Sequence, residues 1–295
     1  EGNNRIVKFS SDGEYLLAWD KTGGDTSEFR DPHALALDSE GRLFAPCRNF
    51  PLDILFLRDD DIPEYVQDGV ADLGVVGLNV VQEKAAQVIQ LDALGFGACT
   101  LSIAVPRKSS ISSVYDLEGK RIATSHPRIV EGFLDQRKVK ARIIQISGSV
   151  EITPSLDVAD AICDLVSTGS TLRSNELEPI EVVLKSEAYL IANAQSLKDP
   201  KRRELIERLR MRFQSNLKAR CTKYVMMNAP KTALEEIKTI LPGMKSPTVV
   251  PLAEDEMVAI HSAVPEELFW DVIEKLRKTG ASDILVVPIE NMVTG

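Results

Sequence analysis

The stretch from Ala159 to Leu172 reads Ala-Asp-Ala-Ile-Cys-Asp-Leu-Val-Ser-Thr-Gly-Ser-Thr-Leu and changes character at its midpoint. The first half, as far as Val166, is mostly apolar and free of Gly and Pro, which predicts a buried parallel strand. The second half is a run of five small residues: Ser167, Thr168, Gly169, Ser170 and Thr171. A turn of this kind can point successive backbone N–H groups into one hollow, which favours a phosphate-binding site.

Asp164 stands at the end of the predicted strand, just before the hydroxyl-rich turn. A carboxylate repels a phosphate, but it accepts hydrogen bonds from hydroxyl groups. A ligand that satisfies both features carries a phosphate at one end and a diol nearby, as ribose 5-phosphate does. The alternative is an ordinary strand-to-helix turn with Thr171 as the N-cap, and the rest of the chain has to decide between the two.

Length and composition bound the classes of protein that fit. A chain of 295 residues with 44% hydrophobic residues predicts two or three domains with a proper core. No apolar run reaches the roughly 18 residues that a membrane span needs, so we expect no membrane partner. The net charge of -9 argues against a general nucleic-acid binder.

Cysteines and histidines are few and dispersed. The four cysteines form no Cys-x-x-Cys pair, which is typical of a protein in a reducing cytoplasm. The three histidines are equally far apart, so the sequence does not predict a zinc site.

Residues 1–45 differ in pattern from the rest of the chain. Asn4 to Phe9 and Tyr15 to Trp19 flank an Asp-Gly turn, and Pro32 to Phe44 contains a second turn between apolar runs. These elements resemble NHL repeats, the blades of small β-propellers. One blade cannot close a propeller, so we expect an atypical propeller-like segment that packs on the rest of the chain or hangs from it.

From residue 46 onward the pattern is α/β. Val70-Ala71-Asp72 precedes an apolar strand that ends in Gly, and Val158-Ala159-Asp160 precedes the opening strand in the same way. The repeated pattern favours two similar lobes, and we assign residues 46–100 and 188–218 to lobe I and residues 101–187 to lobe II. His126 follows a strand that ends in hydroxyl residues; it either contacts a ligand or is a helix-start residue held by local bonds.

Residues 219–295 alternate in the order strand, helix, strand, strand, helix, strand. This βαββαβ order is that of a ferredoxin-like plait. We therefore expect a separate C-terminal domain, and small plaits attached to enzymes often bind regulatory ligands.

The chain from about Cys47 to the C-terminus resembles the long form of ATP phosphoribosyltransferase. The resemblance rests on specific motifs: Arg58-Asp59-Asp60-Asp61-Ile62-Pro63, Asp68 to Gly74, Arg121-Ile122-Ala123-Thr124-Ser125, Gly148-Ser149-Val150-Glu151, Asp160 to Leu172, and Pro242-Gly243 with Ser246-Pro247-Thr248.

The resemblance implies a two-lobed catalytic unit similar to type II periplasmic binding proteins, with a plait that binds histidine as a feedback inhibitor. The implied reaction condenses ATP with phosphoribosyl pyrophosphate (PRPP) to N1-(5-phosphoribosyl)-ATP and pyrophosphate, with Mg²⁺ assisting. This reaction is the first step of histidine biosynthesis. The family also implies homo-oligomers, dimers that assemble into hexamers.

The resemblance also implies roles for individual residues. Asp164 would hold the ribose hydroxyls, with Glu151 and Asp160 as further catalytic candidates. The turn residues Ser167, Thr168, Gly169, Ser170 and Thr171 would hold the 5-phosphate of PRPP. In the plait, the implied histidine-binding positions are Asn228, Met244, Ser246 and Thr248.

The sequence departs from the family pattern at two places. Asp157 stands where the family usually has Gly, for which we expect a changed loop conformation. The Lys-Gly-Arg-Leu loop near the family's N-terminus has no counterpart in this sequence. Glu40-Gly41-Arg42-Leu43 is similar in three residues, but it lies only a few residues before the next strand, where the family has a helix between. The alternative to an active enzyme is therefore a non-catalytic protein that binds ribose phosphate and histidine.

Overall fold

The computed structural model describes residues 5–8, 44–46, 50–167, 169–241 and 247–293. The chain forms two compact units, Glu1–Leu205 and Ile206–Gly295. The division falls inside a long helix, α5 (Pro200–Arg220).

The first unit contains two β-sheets. Its strands are β1 (Arg5–Lys8), β2 (Phe44–Pro46), β3 (Asp53–Leu55), β4 (Leu73–Gly77), β5 (Ile89–Ala93), β6 (Cys99–Pro106), β7 (Arg121–Thr124), β8 (Arg142–Gln145), β9 (Ala161–Val166), β10 (Leu177–Ser186) and β11 (Ala188–Ala192). Its complete helices are α1 (Ile62–Gln67), α2 (Leu78–Lys84), α3 (Pro127–Arg137) and α4 (Ser170–Ser174).

The two sheets share a common plan. The strand order is β2-β3-β1-β4-β11-β5 in one sheet and β10-β6-β9-β7-β8 in the other. In each, the strand that follows a Val-Ala-Asp triplet, β4 or β9, is central and lies beside an antiparallel strand, β11 or β6. The chain passes from the first sheet to the second between β5 and β6 and returns between β10 and β11. The expected two-lobed α/β fold is confirmed.

The second sheet positions the opening stretch of the sequence. Strand β9 pairs in parallel with β7, which pairs in parallel with β8, so the carboxyl ends of these three strands meet at one edge. The sheet is covered on both sides, which explains the apolar run: Leu101 and Ile103 pack in one core cluster, whereas Ala104 and Ile162 pack in another.

The propeller-like interpretation of residues 1–45 is not supported. Strand β1 pairs antiparallel with β3 on one side and with β4 on the other, so it is a central strand of an α/β sheet. A short strand such as Arg-Ile-Val-Lys can serve in either setting, because local pattern does not specify which strands it will pair with. Most of the segment, residues 9–43, lies outside the described residues.

The second unit is a ferredoxin-like plait, as expected. Its elements after α5 are β12 (Thr222–Pro230), α6 (Leu234–Ile240), β13 (Thr248–Pro251), β14 (Met257–Pro265), α7 (Phe269–Lys278) and β15 (Ser282–Pro288). The strand order is β13-β14-β12-β15, with every pair antiparallel. Val225, Met227 and Ala229 alternate along β12 and belong to the plait's core, with Ile237 of α6 and Leu276 of α7.

Among the described residues, no helix combines the length and apolar character needed to cross a membrane.

Candidate active site

The turn after β9 connects the strand to helix α4. Gly169 has φ +70°, in the left-handed region that a residue without a Cβ adopts most readily, and it is the N-cap of α4. Thr171 lies inside the helix, so the alternative in which Thr171 is the N-cap is wrong in that detail. Thr168 lies outside the described residues.

The turn borders a cavity of about 560 Å³. Ser167 and Gly169 form one part of its wall, so the turn faces open space rather than the core. The opposite parts of the wall come from the start of β6 and from the β10–β11 connection: Cys99, Thr100, Lys185, Ser186, Glu187 and Tyr189. A cavity of this volume is within the usual range for small-molecule sites.

The register of three strands places several polar side chains on one face of the sheet. Val166 of β9 is opposite Thr100 of β6, which is opposite Lys185 of β10. Asp164 is opposite Ser102 in the same pair of strands. Directly opposed residues point to the same face, as do residues two apart along a strand. Asp164 therefore shares a face with Val166 and Lys185, which both line the cavity.

Asp164 is a half-buried carboxylate whose pKa is raised above its usual range. The largest cause is loss of water around the charge, and the nearby negative charge of Glu151 adds to it. The backbone N–H of Leu165, which donates to Asp164 Oδ1 over 2.8 Å, acts in the opposite direction, as does the positive charge of His126 when that ring is protonated. Glu151 lies in the 3₁₀ turn Val150–Ile152. Its charge acts on Asp164, so two of the three predicted catalytic acids lie near each other.

His126 is buried at the N-cap of α3, and both of its ring nitrogens have partners. Nδ1 lies 2.9 Å from Ser125 Oγ, and Nε2 lies 3.0 Å from Asn79 Nδ2. Burial lowers the pKa of His126, which favours the neutral imidazole. The structure thus agrees with a helix-start histidine held by hydrogen bonds, although one partner comes from the other lobe.

Asp160 lies at the opposite end of β9 from the turn. Both of its oxygens accept hydrogen bonds from Arg121, whose Nε and Nη2 lie 3.2 Å and 3.1 Å away, and this pairing lowers the pKa of Asp160. The aspartate of the first Val-Ala-Asp triplet, Asp72, is likewise buried and paired with Arg202. The repeated acid therefore anchors the start of a central strand in each lobe, and the predicted catalytic role of Asp160 has no support from its position.

Asp157 keeps the backbone conformation that a glycine favours. Its φ is +54°, in the left-handed region, so the residue adopts the strained conformation itself. Arg121 Nη2 donates to Asp157 Oδ1 over 2.7 Å, and Arg121 Nη1 donates to Asp157 O over 2.7 Å. These two bonds hold the chain in a conformation that is costly for a residue with a Cβ.

Two of the four expected histidine-site residues are described. Asn228 lies on β12 and donates to Asp283 Oδ2 over 3.1 Å. Thr248 begins β13, opposite His261 of β14, which is opposite Met226 of β12. Asn228 and Thr248 therefore project from the same sheet face, the one that the helices do not cover. Met244 and Ser246 lie outside the described residues.

The comparisons with known proteins agree over most of the chain. The ATP phosphoribosyltransferase family model matches residues 58–215, and the model described as HisG, C-terminal domain, matches residues 219–291.

Curated relatives span nearly the same length. A protein of Parabacteroides distasonis named ATP phosphoribosyltransferase is 50% identical over 251 residues, which are 85% of this chain and 88% of that protein. The protein of the same name from Cytophaga hutchinsonii is 48% identical over 253 residues, 86% of this chain and 88% of that one.

Among solved structures, the ATP phosphoribosyl transferase (HisG:HisZ) complex from Thermotoga maritima is 30% identical, with a TM-score of 0.48 over 53% of this chain and 75% of that one. The family models and the curated relatives together cover both units of the structure. The chain therefore belongs to the ATP phosphoribosyltransferase family, a family of transferases.

Proposed function

We propose that this chain transfers the phosphoribosyl group of PRPP to N1 of the adenine of ATP and releases pyrophosphate, the first step of histidine biosynthesis. The observation that carries the proposal is the position of Asp164, which shares a sheet face with the lining of the cavity that the turn after β9 borders. The proposed phosphate site at the turn and the proposed hydroxyl site at Asp164 would follow each other in the order that a ribose 5-phosphate group requires.

The turn would receive the 5-phosphate. Backbone N–H groups and hydroxyls of Ser167, Gly169, Ser170 and Thr171 are neutral donors, which bind an anion without having to be neutralised themselves. Thr168 completes this set in sequence. Asp164 would accept hydrogen bonds from the ribose hydroxyls, and these bonds would offset the cost of burying its charge.

The reaction needs no covalent nucleophile. The bond from adenine N1 to the anomeric carbon forms as the bond from that carbon to the pyrophosphate oxygen breaks, and pyrophosphate leaves with the electron pair. Positive charge that develops on the ribosyl centre would be stabilised by the carboxylates of Asp164 and Glu151. The rest of the rate enhancement would come from holding the two substrates in line.

Mg²⁺ would bind at this site together with the substrate. No group of three or more His, Cys, Asp or Glu side chains suited to a metal occurs in the described part of the chain. Mg²⁺ is commonly held by one or two carboxylates together with substrate phosphates, and Asp164 and Glu151 are two carboxylates of the proposed site that would do so. When bound, it neutralises charge on the leaving pyrophosphate.

The plait would bind histidine and so inhibit the enzyme by feedback. Asn228 supplies an amide and Thr248 a hydroxyl on the sheet face that the helices leave open. Both groups can bind the charged ends of an amino acid. We further propose that the chain works in the cytoplasm as a homo-oligomer, in which dimers assemble into hexamers.

The deciding experiment is release of pyrophosphate from ATP plus PRPP with Mg²⁺, measured with and without histidine. Release that requires both substrates and is suppressed by histidine supports the proposal. PRPP binding without any release supports the alternative of a non-catalytic ribose-phosphate-binding protein, and release that histidine does not change removes the regulatory part alone.

A further inference from the structure

The proposed site has an imbalance of charge. PRPP carries a phosphate at one end and a pyrophosphate at the other, whereas the two acids that face the ribose, Asp164 and Glu151, add negative charge of their own. Positive groups must offset this repulsion if PRPP is to bind tightly. Two basic side chains stand beside the turn, Arg173 and Lys185. Neither side chain forms a hydrogen bond or an ion pair with any other residue in the described ranges.

Arg173 lies over the turn itself. Its backbone N–H donates to Gly169 O over 3.2 Å, which places the residue one helical turn after Gly169. Its Nη1 lies 3.3 Å from the position that a Cβ on Gly169 would occupy. The exposed guanidinium therefore covers the place proposed for the 5-phosphate, and its planar fork suits phosphate oxygens.

Lys185 lies on β10, two strands away from the strand that leads into the turn. It lines the same cavity as Ser167 and Gly169 and projects from the same sheet face as Val166, two strands away. Two strand spacings separate the backbones of Lys185 and Val166 by roughly 10 Å, so Lys185 joins the cavity wall from a different strand than the turn does. The neighbouring Glu187 uses Oε2 to accept the N–H of Gly95 over 2.9 Å, and no ion pair between it and Lys185 forms among the described residues.

We propose that the two cations divide the charge of PRPP, with Arg173 binding the 5-phosphate and Lys185 binding the pyrophosphate. The inference rests on the proposed function and assigns basic partners within its site. Lys185 then stabilises the leaving group as the bond to the anomeric carbon breaks, because negative charge accumulates on the pyrophosphate at that moment.

Three ligands separate the roles: PRPP, ribose 5-phosphate and inorganic pyrophosphate, each titrated calorimetrically into the full chain. Lys185→Gln is expected to weaken the affinity for PRPP and for pyrophosphate by about tenfold to a hundredfold, the scale for losing a bond to a charged group. The affinity for ribose 5-phosphate should stay unchanged within about twofold. Arg173→Gln is expected to weaken the affinity for PRPP and for ribose 5-phosphate to the same degree and to leave the affinity for pyrophosphate unchanged. Lys185→Arg should recover part of the pyrophosphate affinity.

Lys108→Gln removes an exposed lysine of the same lobe away from the cavity and provides the matched control for net charge. All variants change exposed side chains, so thermal unfolding should show intact folding. If Lys185→Gln lowers the affinity for all three ligands equally, or for none of them, the proposal that Arg173 and Lys185 bind different ends of PRPP is overturned. If the unmodified chain fails to bind PRPP, the proposed function itself is overturned, and this result is distinct from an effect of either variant.

Discussion

Asn79 Nδ2 and His126 Nε2 lie 3.0 Å apart, and this pair joins helix α2 of the first lobe to the start of helix α3 of the second. Asn79 also bonds Ser186 Oγ, both through its backbone N–H at 3.1 Å and through Oδ1 at 2.9 Å. Because Ser186 lines the cavity, the contact between the lobes is continuous with the wall of the proposed site.

Glu83 adds a second connection between the lobes. Its carboxylate accepts the backbone N–H groups of Arg128 and Ile129, each over 3.0 Å, so an acid on α2 caps the helix α3. Glu83→Ala should lower the free energy of unfolding by about 0.5–2 kcal/mol, the usual cost of a lost cap. Urea denaturation measures the effect. Glu131→Ala, an exposed change on α3, is the control and should stay within about 0.5 kcal/mol; equal effects of the two substitutions would contradict the capping role.

Asp157 offers a test of backbone strain. Asp157→Gly relieves the left-handed conformation and loses an exposed ion pair, two effects of opposite sign, so the free energy of unfolding should change by less than about 0.5 kcal/mol. Asp157→Ala loses the ion pair and keeps the strain, and it should cost about 1 kcal/mol. Thermal unfolding of both variants checks the order, and an alanine variant as stable as the glycine variant would disprove the strain.

Gly169 and Gly132 should respond to alanine with opposite signs. Gly169→Ala puts a Cβ at φ +70° and close to Arg173, which should cost about 1–2 kcal/mol of stability. Gly132 lies in helix α3 with open space where a Cβ would stand, so Gly132→Ala should stabilise by about 0.5–1 kcal/mol. Paired unfolding curves would show the difference, and a destabilising change at Gly132 would count against the described helix.

The charged side chain of Asp164 should lower the free energy of unfolding of the chain. The pKa of Asp164 is raised in the folded chain, so the folded state holds the proton more tightly than the unfolded state does. Stability is therefore lost as the pH rises from the ordinary aspartate pKa through the raised value, and the loss is complete above it.

Asp164→Asn removes the charge and retains an acceptor for the N–H of Leu165. It should be more stable than the unmodified chain at neutral pH by roughly 0.5–2 kcal/mol, the scale seen when a functional site is relieved of strain. Unfolding measured from pH 3 to 8 should show the two chains converging at low pH. A variant that is less stable at neutral pH would refute the raised pKa.

Strand β9, its turn and the plait could be predicted because their signals are local. An apolar run that ends in small hydroxyl residues defines a strand and its turn, and the βαββαβ order follows from successive short elements. The proposed phosphate turn is contiguous in sequence for the same reason, so Ser167, Gly169 and Asp164 could be placed without any tertiary contact.

Residues that depend on tertiary pairing could not be found in this way. Arg202 pairs with Asp72 across 130 positions, which no local pattern encodes. The sheet face from which Lys185 projects depends on two register shifts in β10, one between Pro179 and Glu181 and one between Val182 and Leu184. A one-residue slip reverses every later side chain, so alternation along the sequence does not specify the face of Lys185.

Calorimetric titration of PRPP into the unmodified chain and into Asp164→Ala tests the central claim most directly. Loss of a carboxylate that accepts bonds from the ribose hydroxyls should weaken PRPP by about 1–3 kcal/mol, with Asp160→Asn as a control that leaves the affinity unchanged. Unchanged affinity in Asp164→Ala, with PRPP still bound by the unmodified chain, would contradict the account.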